Sequence, residues 1–369
     1  MNAPSSTRIA GLVTVAATLL LPLTGAWLSG RDLRPLRAFP PPLDIPADYP
    51  RWSWFAGMLV FASVAAVWLP FVRSRHAEFP VLAPAAAAPA VSRFPSWGWI
   101  AFGWTTVWWV LAWTRFPWFA ALQRTTFFPL WLGFVVTLNA WIVQRGRTPT
   151  MLRLPARWLA LFGFSAAFWW MFEWLNRFAQ NWHYLGVEDF GPRAYVVHAS
   201  LCFSTVLPAV LAMREVLATF PALQQKTERG PRWGWLDRRI TGAALLLVAL
   251  VALSFTGARP QEFYPALWVA PLALLFGCGI VSGRRGVWTE LAAGEWQRAA
   301  GWALAALACG FFWEMWNLPS AAKWIYTVPY VDRWHVFEMP LLGYAGYLGF
   351  GLECALVTEW VIGRERDTR

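Results

Sequence analysis

Glu314 and Asn317 stand three residues apart at the end of an apolar run, Phe311-Phe312-Trp313-Glu314-Met315-Trp316-Asn317, and a Trp-x-Tyr segment, Trp324-Ile325-Tyr326, follows. Positions i and i+3 share one face of a helix, so the carboxyl and the carboxamide point the same way. The same types recur upstream, where Glu173 and Asn176 close Phe168-Trp169-Trp170-Met171-Phe172-Glu173-Trp174-Leu175-Asn176 and Trp182-His183-Tyr184 follows. A carboxyl in a dry, aromatic setting can act as a general acid or base, and a nearby carboxamide can orient it. Trp324, Tyr326, Trp182 and Tyr184 would line the mouth of such a site.

A third carboxyl, Glu353, follows Phe350-Gly351-Leu352 well inside the last apolar run. An ionisable group at that depth is costly and needs a reason; one that holds its proton can serve an apolar substrate. The plainer alternative is structural. Glu173 could reach Arg177 at i+4, and Glu314 or Glu353 could bond Trp N–H groups or backbone.

His335 and Glu338 are also i and i+3, at the start of the last run, and with His183 and His198 they could in principle hold a metal. Their spacing matches no familiar metal signature, and interfacial hydrogen bonding is the simpler reading, so no metal and no bound cofactor is expected. Gly343, Gly346, Gly349 and Gly351 read as a close-packing helix face rather than a phosphate loop. Gly163-Phe164-Ser165-Ala166-Ala167 looks only loosely like a nucleophile elbow, with no strand before it.

The elements that must position these groups are membrane spans. The chain is 58% hydrophobic and 14% charged, where soluble domains have roughly 45–50% and about 25%. Ten runs approach the length of a span: 9–29, 53–72, 97–114, 126–144, 157–176, 194–213, 240–257, 264–282, 298–317 and 339–362. The first could instead be a signal peptide with a poor cleavage site at Thr24-Gly25-Ala26. The expected fold is therefore an all-α polytopic helix bundle.

Most of the 31 Lys and Arg residues fall on alternate loops that share a side with the N-terminus. The positive-inside rule places both termini in the cytoplasm and both Glu-x-x-Asn motifs at the outer ends of their helices. The same rule accounts for the net charge of +11 without a nucleic-acid partner. Cys202, Cys278, Cys309 and Cys354 lie in apolar runs and read as small buried hydrophobes. The 29 tryptophans suit the membrane interface and helix packing. Of the loops, Pro84-Ala85-Ala86-Ala87-Ala88-Pro89 reads as a tether, and the basic stretch Gln224–Arg239 could touch anionic headgroups or simply anchor the topology.

Glu173 and Asn176 map onto Glu314 and Asn317 at one offset, and Trp182 and Tyr184 onto Trp324 and Tyr326 at an offset one residue longer. Phe127-Phe128-Pro129 matches Phe263-Tyr264-Pro265, and Pro192 and His198 match Pro329 and His335. In order, these matches suggest two four-span copies in the same orientation. The organisation is then an N-terminal helix pair and linkers over 1–96, a first copy over 97–219, a basic cytoplasmic loop over 220–239 and a second copy over 240–369.

Trp313-Glu314-x-x-Asn317, Lys323-Trp324-x-Tyr326-x-Val328-Pro329 and Phe337-Glu338-Met339-Pro340-Leu341-x-Gly343-Tyr344-x-Gly346-Tyr347 together resemble a motif of uncharacterised bacterial multi-span membrane proteins. That resemblance implies a multi-pass protein of a bacterial inner membrane. The placing of Glu314, Trp324, Tyr326, Glu338 and Pro340 also resembles the membrane-embedded lycopene cyclases, which have an acidic residue near a helix end, an aromatic-rich loop and a proline with paired glutamates opening the next helix; here the pair is missing, and Glu338 stands alone before Pro340. The cyclase likeness implies protonation of an isoprenoid double bond, with aromatic faces stabilising a carbocation.

The leading expectation is an inner-membrane enzyme performing carboxylate acid–base chemistry, isomerisation or cyclisation, on a lipid-soluble isoprenoid. Glu314 would act with Glu173 or Glu353, and Asn317 and Asn176 would orient the carboxyls. Its partners would be membrane lipids and that small molecule. A transporter or flippase and a non-catalytic scaffold or assembly factor are the rivals, and the sequence names no protein partner.

Overall fold

A computed structural model describes residues 3–73 and 92–363. The tether at Pro84–Pro89 lies outside the described residues, as do Arg75, Arg364, Arg366 and Arg369. The described chain is helical apart from two short antiparallel strand pairs. Six segments are long and apolar enough to cross a membrane: Ala10–Leu28, Phe127–Gln144, Pro155–Ala179, Pro192–Leu217, Arg239–Ala258 and Leu341–Ile362. Trp54–Leu69 and Pro265–Val281 are shorter apolar helices, and helices Ser96–Trp113 and Gln297–Asn317 occupy the other two expected positions.

The outer faces carry Phe55, Ile100, Ile240, Leu247 and Val248 exposed. Water does not tolerate so much contiguous apolar surface, whereas lipid does. Tryptophans divide between this surface, as with Trp99 and Trp118, and the interior, as with Trp131 and Trp316. The core runs through Trp131, Phe172, Leu207, Leu267, Cys309 and Phe350. All four cysteines are free thiols, with Cys309 and Cys354 buried and Cys202 and Cys278 partly so.

Helix Ala3–Leu28 packs along Arg239–Ala258 at backbone distance, since a Cβ on Gly25 or Gly257 would strike the Ser254 or Pro22 carbonyl. Gly351 likewise lies against the Trp302 carbonyl, but Gly346 and Gly349 face open space. The expected glycine face is thus reduced to one close contact with a neighbouring helix, because 346 and 349 lie on a different side of the turn from 351.

Two prolines interrupt helical hydrogen bonding in the core, one dividing a helix and one inside a continuous helix, and a side chain from another helix takes up a backbone group at each. The span expected at 194–213 is two helices, Pro192–Ser204 and Val206–Leu217, divided at Thr205. Pro208 has no N–H to offer the Ser204 carbonyl and crowds it, which opens the ladder there. Ser165 fills the gap, donating to the Phe203 carbonyl at 2.7 Å and accepting the Leu207 N–H at 3.0 Å. This is the role of the serine in the supposed elbow. In the second case Pro271 sits inside Pro265–Val281, and the next amide, Leu272 N–H, donates to Glu353 Oε1 at 2.9 Å.

The last helix begins later than expected. Residues His335–Val336 pair with Met339–Pro340 in a tight hairpin with Phe337 at φ 58°, and helix Ala345–Ile362 follows. His335 and Glu338 therefore share a hairpin, not a helix face.

Candidate functional site

The Glu173 helix, Pro155–Ala179, and the Glu314 helix, Gln297–Asn317, each reverse direction just beyond their Glu-x-x-Asn motif. The first does so at Gln180, a left-handed residue at φ 51° whose N–H bonds the Asn176 carbonyl. Each chain then runs into a four-residue strand: Trp182–Leu185 (β1) and Lys323–Tyr326 (β2). The strands pair antiparallel, with Trp182 opposite Tyr326 and Tyr184 opposite Trp324. Two motifs distant in sequence thus meet in one two-stranded sheet.

The asparagines do not orient the carboxyls. Asn176 donates from Nδ2 to the Trp182 carbonyl at 2.8 Å, and its Oδ1 accepts the Asn181 N–H at 2.7 Å. Asn317 does the same for Trp324, donating at 2.7 Å to its carbonyl and accepting its N–H at 2.8 Å. A carboxamide carries both a donor and an acceptor, so one side chain at the last helical turn can clamp a strand peptide that has lost its helical partners.

The carboxyls hold the strand side chains. Glu173 Oε1 accepts Trp169 and Trp182 indole N–H groups at 3.0 Å each and the Tyr184 hydroxyl at 2.7 Å. Glu314 Oε1 accepts the hydroxyls of Tyr326 at 2.7 Å and Tyr347 at 2.9 Å, with the Trp324 indole at 3.4 Å. Both glutamates are buried. Arg177 does not serve Glu173; it donates to the Pro35 and Ala38 carbonyls at 2.8 Å. Glu353, buried at the Pro271 break, is hydrogen-bonded to a different helix and lies outside this sheet.

A cleft of about 110 Å³ opens beside the sheet, walled by Trp182, Tyr184, Trp324, Tyr326, Trp268 and Tyr347. Neither Glu173 nor Glu314 lines it. The carboxyls stand behind the aromatic wall and fix its polar edges, leaving ring surface toward the cavity. Burial pushes the Tyr184 and Tyr326 hydroxyls well above the usual phenol range, and the adjacent carboxyls add to this, so both stay protonated donors. The two cations on the lining are matched: Arg124 pairs with Asp189 at 3.0 Å, and Lys323 with Glu338.

Glu338 is therefore the counter-ion of Lys323 at the rim. His335 points elsewhere, paired with Asp332 at 2.7 Å and exposed. His183 bonds the Thr327 hydroxyl at 2.9 Å, while His198 lies near Cys202. Among the described residues, no three His, Cys, Asp or Glu side chains come together as a metal site would require.

Sequence reasoning missed Trp169, Tyr347 and Trp268. Trp169 was reachable, since it precedes Glu173 by one helical turn on the same face. Tyr347 reaches Glu314 only through the packing of two helices, which no local pattern announces. No family model, curated protein or solved structure matches the chain.

Proposed function

We propose that this chain is a multi-pass inner-membrane protein of ten spans, built as two four-span halves with an N-terminal pair, that binds a lipid-soluble molecule of the isoprenoid kind between its halves. Both termini would lie in the cytoplasm. The observation that carries the binding reading is that Trp-x-Tyr strands from the two motifs wall one aromatic cleft, while the carboxyls that fix them do not line it. A wall of ring faces with matched charges at its rim suits an apolar or weakly cationic guest. The strand register supports the two halves, because Trp182 opposite Tyr326 and Tyr184 opposite Trp324 is the pairing that a local twofold axis requires. The match of His198 to His335 does not support it, since one lies in a helix and the other in a hairpin.

Chemistry on the bound molecule is the second reading, and one observation favours it: Glu314 Oε2 is buried with no hydrogen-bond partner. Such an oxygen could carry a transferable proton. Isomerisation or cyclisation would then need the aromatic wall to part, so that Glu314 could protonate an alkene carbon and a second base, Glu173, could remove a proton from a neighbouring carbon, with no net change in atoms or electrons.

Mass spectrometry of lipid extracts separates these readings, using cells that express wild type, Glu314→Gln or no protein, beside the lipids retained by each purified protein. Binding predicts an apolar species co-purifying with wild type and unaltered extracts. Catalysis predicts a species that appears or vanishes in extracts only with wild type. A purified protein that retains no apolar species, with unchanged extracts, would leave the scaffold reading in place of both.

A further inference from the structure

Two hollows lie apart from the aromatic cleft. One is a cavity of about 370 Å³ at the opposite end of the bundle, where Arg214 shares the lining with Glu215 and Glu359. Charges of both signs stand on that lining, so it favours no particular guest. The other hollow is a slot between helix Trp54–Arg73 and the last helix, Ala345–Ile362, and a lone cation stands at its mouth.

Helix Trp54–Arg73 is held at its two ends. At the strand end Trp52 bridges Val331, and Ser53 donates its N–H to the Tyr330 carbonyl at 2.8 Å. Gly57 has no side chain, and the Trp52 ring and Leu342 close over it, at 2.8 and 3.5 Å from where a Cβ would stand. At the far end Val67 and Trp68 pack against the cluster that contains Phe276, Trp288 and Leu356. Between these contacts the helices part. Gly346 and Gly349 follow Leu342 by one and two turns on the same face, and nothing comes within 4 Å of a Cβ on either. From Gly57 to Val67 the slot is about 15 Å long at the helical rise. That is roughly half of a ~30 Å bilayer core, the depth of one leaflet.

Arg333 stands at the mouth. Its guanidinium lies 5.6, 5.5 and 4.6 Å from the ring centroids of Trp52, Trp54 and Trp334, and the three rings meet edge to face with centroids 4.9 to 6.2 Å apart. Stacking uses the flat sides of a guanidinium and leaves the N–H groups at its edge. Among the described residues no carboxylate or carbonyl takes them up, and Arg333 is exposed. The Trp52 indole N–H is enclosed beside it with no acceptor. A cation without a counter-ion and a donor without an acceptor thus meet among tryptophans, at the depth where headgroups lie. A phosphate diester supplies both the charge and the acceptors.

We propose that the slot holds one phospholipid, with its phosphate on Arg333 and one acyl chain over Gly346 and Gly349. The site does not depend on the reading of the aromatic cleft, since Tyr347, which walls the cleft, turns to Glu314 on another side of the same helix.

The test is native mass spectrometry of the delipidated full-length protein in a neutral detergent, titrated with phosphatidylglycerol or with glycerol 3-phosphate. The expected result is one phosphatidylglycerol retained per chain, and no retention of glycerol 3-phosphate at the same concentrations. Arg333→Gln should weaken retention about tenfold, the loss expected for a hydrogen bond to a charged group. Gly346→Leu and Gly349→Leu keep every charge and fill the open space. Leucine also favours a helix more than glycine does, so each protein should melt no lower than wild type while losing the tightly held lipid. Arg193→Gln, outside the slot, should bind as wild type does. Retention that is equal in wild type, Gly346→Leu and Gly349→Leu overturns the proposal, and so does retention that Arg333→Gln leaves unchanged. Glycerol 3-phosphate bound as tightly as the lipid overturns it too, because the acyl chain would then contribute nothing.

Discussion

The two cavities handle buried ionisable groups in opposite ways. Beside the paired strands, Glu173 and Glu314 stand behind the lining, each holding hydroxyl and indole donors that would otherwise be stranded. At the other end, Arg214 is itself part of the lining, and a glycine opposite gives it space. A group hidden behind a wall shapes that wall; a group in the wall meets whatever the cavity holds. The first arrangement turns ring surface to its cavity, and the second turns guanidinium and carboxylate groups to its own.

The largest test of that contrast removes the hidden acceptor. Glu314→Ala leaves the Tyr326 and Tyr347 hydroxyls without their shared oxygen, while the Trp324 indole keeps the Tyr326 oxygen at 2.8 Å, and buried unsatisfied donors cost about 1–3 kcal/mol each. We expect a loss of at least about 2 kcal/mol, seen as a large fall in melting temperature in detergent and as loss of the bound apolar species. Glu314→Gln keeps an acceptor at the same place and should recover part of that stability. If Glu314→Ala melts like wild type, the carboxyl does not support the wall and the comparison fails.

The clamps come next. Asn176→Ala and Asn317→Ala each remove a donor and an acceptor from a buried strand peptide, and each should cost about 1–3 kcal/mol. Asp in either position keeps the acceptor and loses the donor, so its melting temperature should fall between wild type and Ala. Equal loss in Ala and Asp would show that the acceptor contributes nothing.

These clamps also show how far the sequence could be read. The all-helical fold and the six helices long and apolar enough to cross a membrane followed from apolar runs, because lipid requires every span to satisfy its own backbone. The doubling of Glu, Asn, Trp and Tyr was visible too, and those residues do meet. What each one holds was not visible. Asn317 shares a helix face with Glu314, which suggested carboxyl orientation, yet the chain reverses just after it and brings a strand peptide within reach instead. Glu353 was read as an anomaly of depth, whereas its partner is an amide beside a proline 81 residues away in sequence. Arg214 was counted only for its sign, because the cavity it lines is made by the ends of four helices.

A smaller effect sharpens the distinction between ring surface and polar edge. Tyr326→Phe and Tyr184→Phe keep the ring that faces the cleft and delete the hydroxyl turned to the carboxyl. Each should cost about 0.5–1.5 kcal/mol of stability while the co-purifying apolar species is retained. Loss of that species in a protein whose melting temperature scarcely changes would mean that the phenol oxygen itself meets the guest.

The smallest effect is one of pH, and it belongs to the strand end alone. His183 lies in β1, bonded to Thr327, and burial lowers the imidazole pKa below its ordinary value of 6.5. The folded protein thus binds this proton less readily than the unfolded chain does. Stability from the neutral ring is fully present above pH 6.5 and is lost as pH falls below it toward the folded value. Melting temperature measured from pH 8 to pH 5 should fall more in wild type than in His183→Gln, by an amount worth about 1 kcal/mol or less. Parallel curves for the two proteins would show that folding does not change the proton affinity of His183, and that burial in β1 does not lower it.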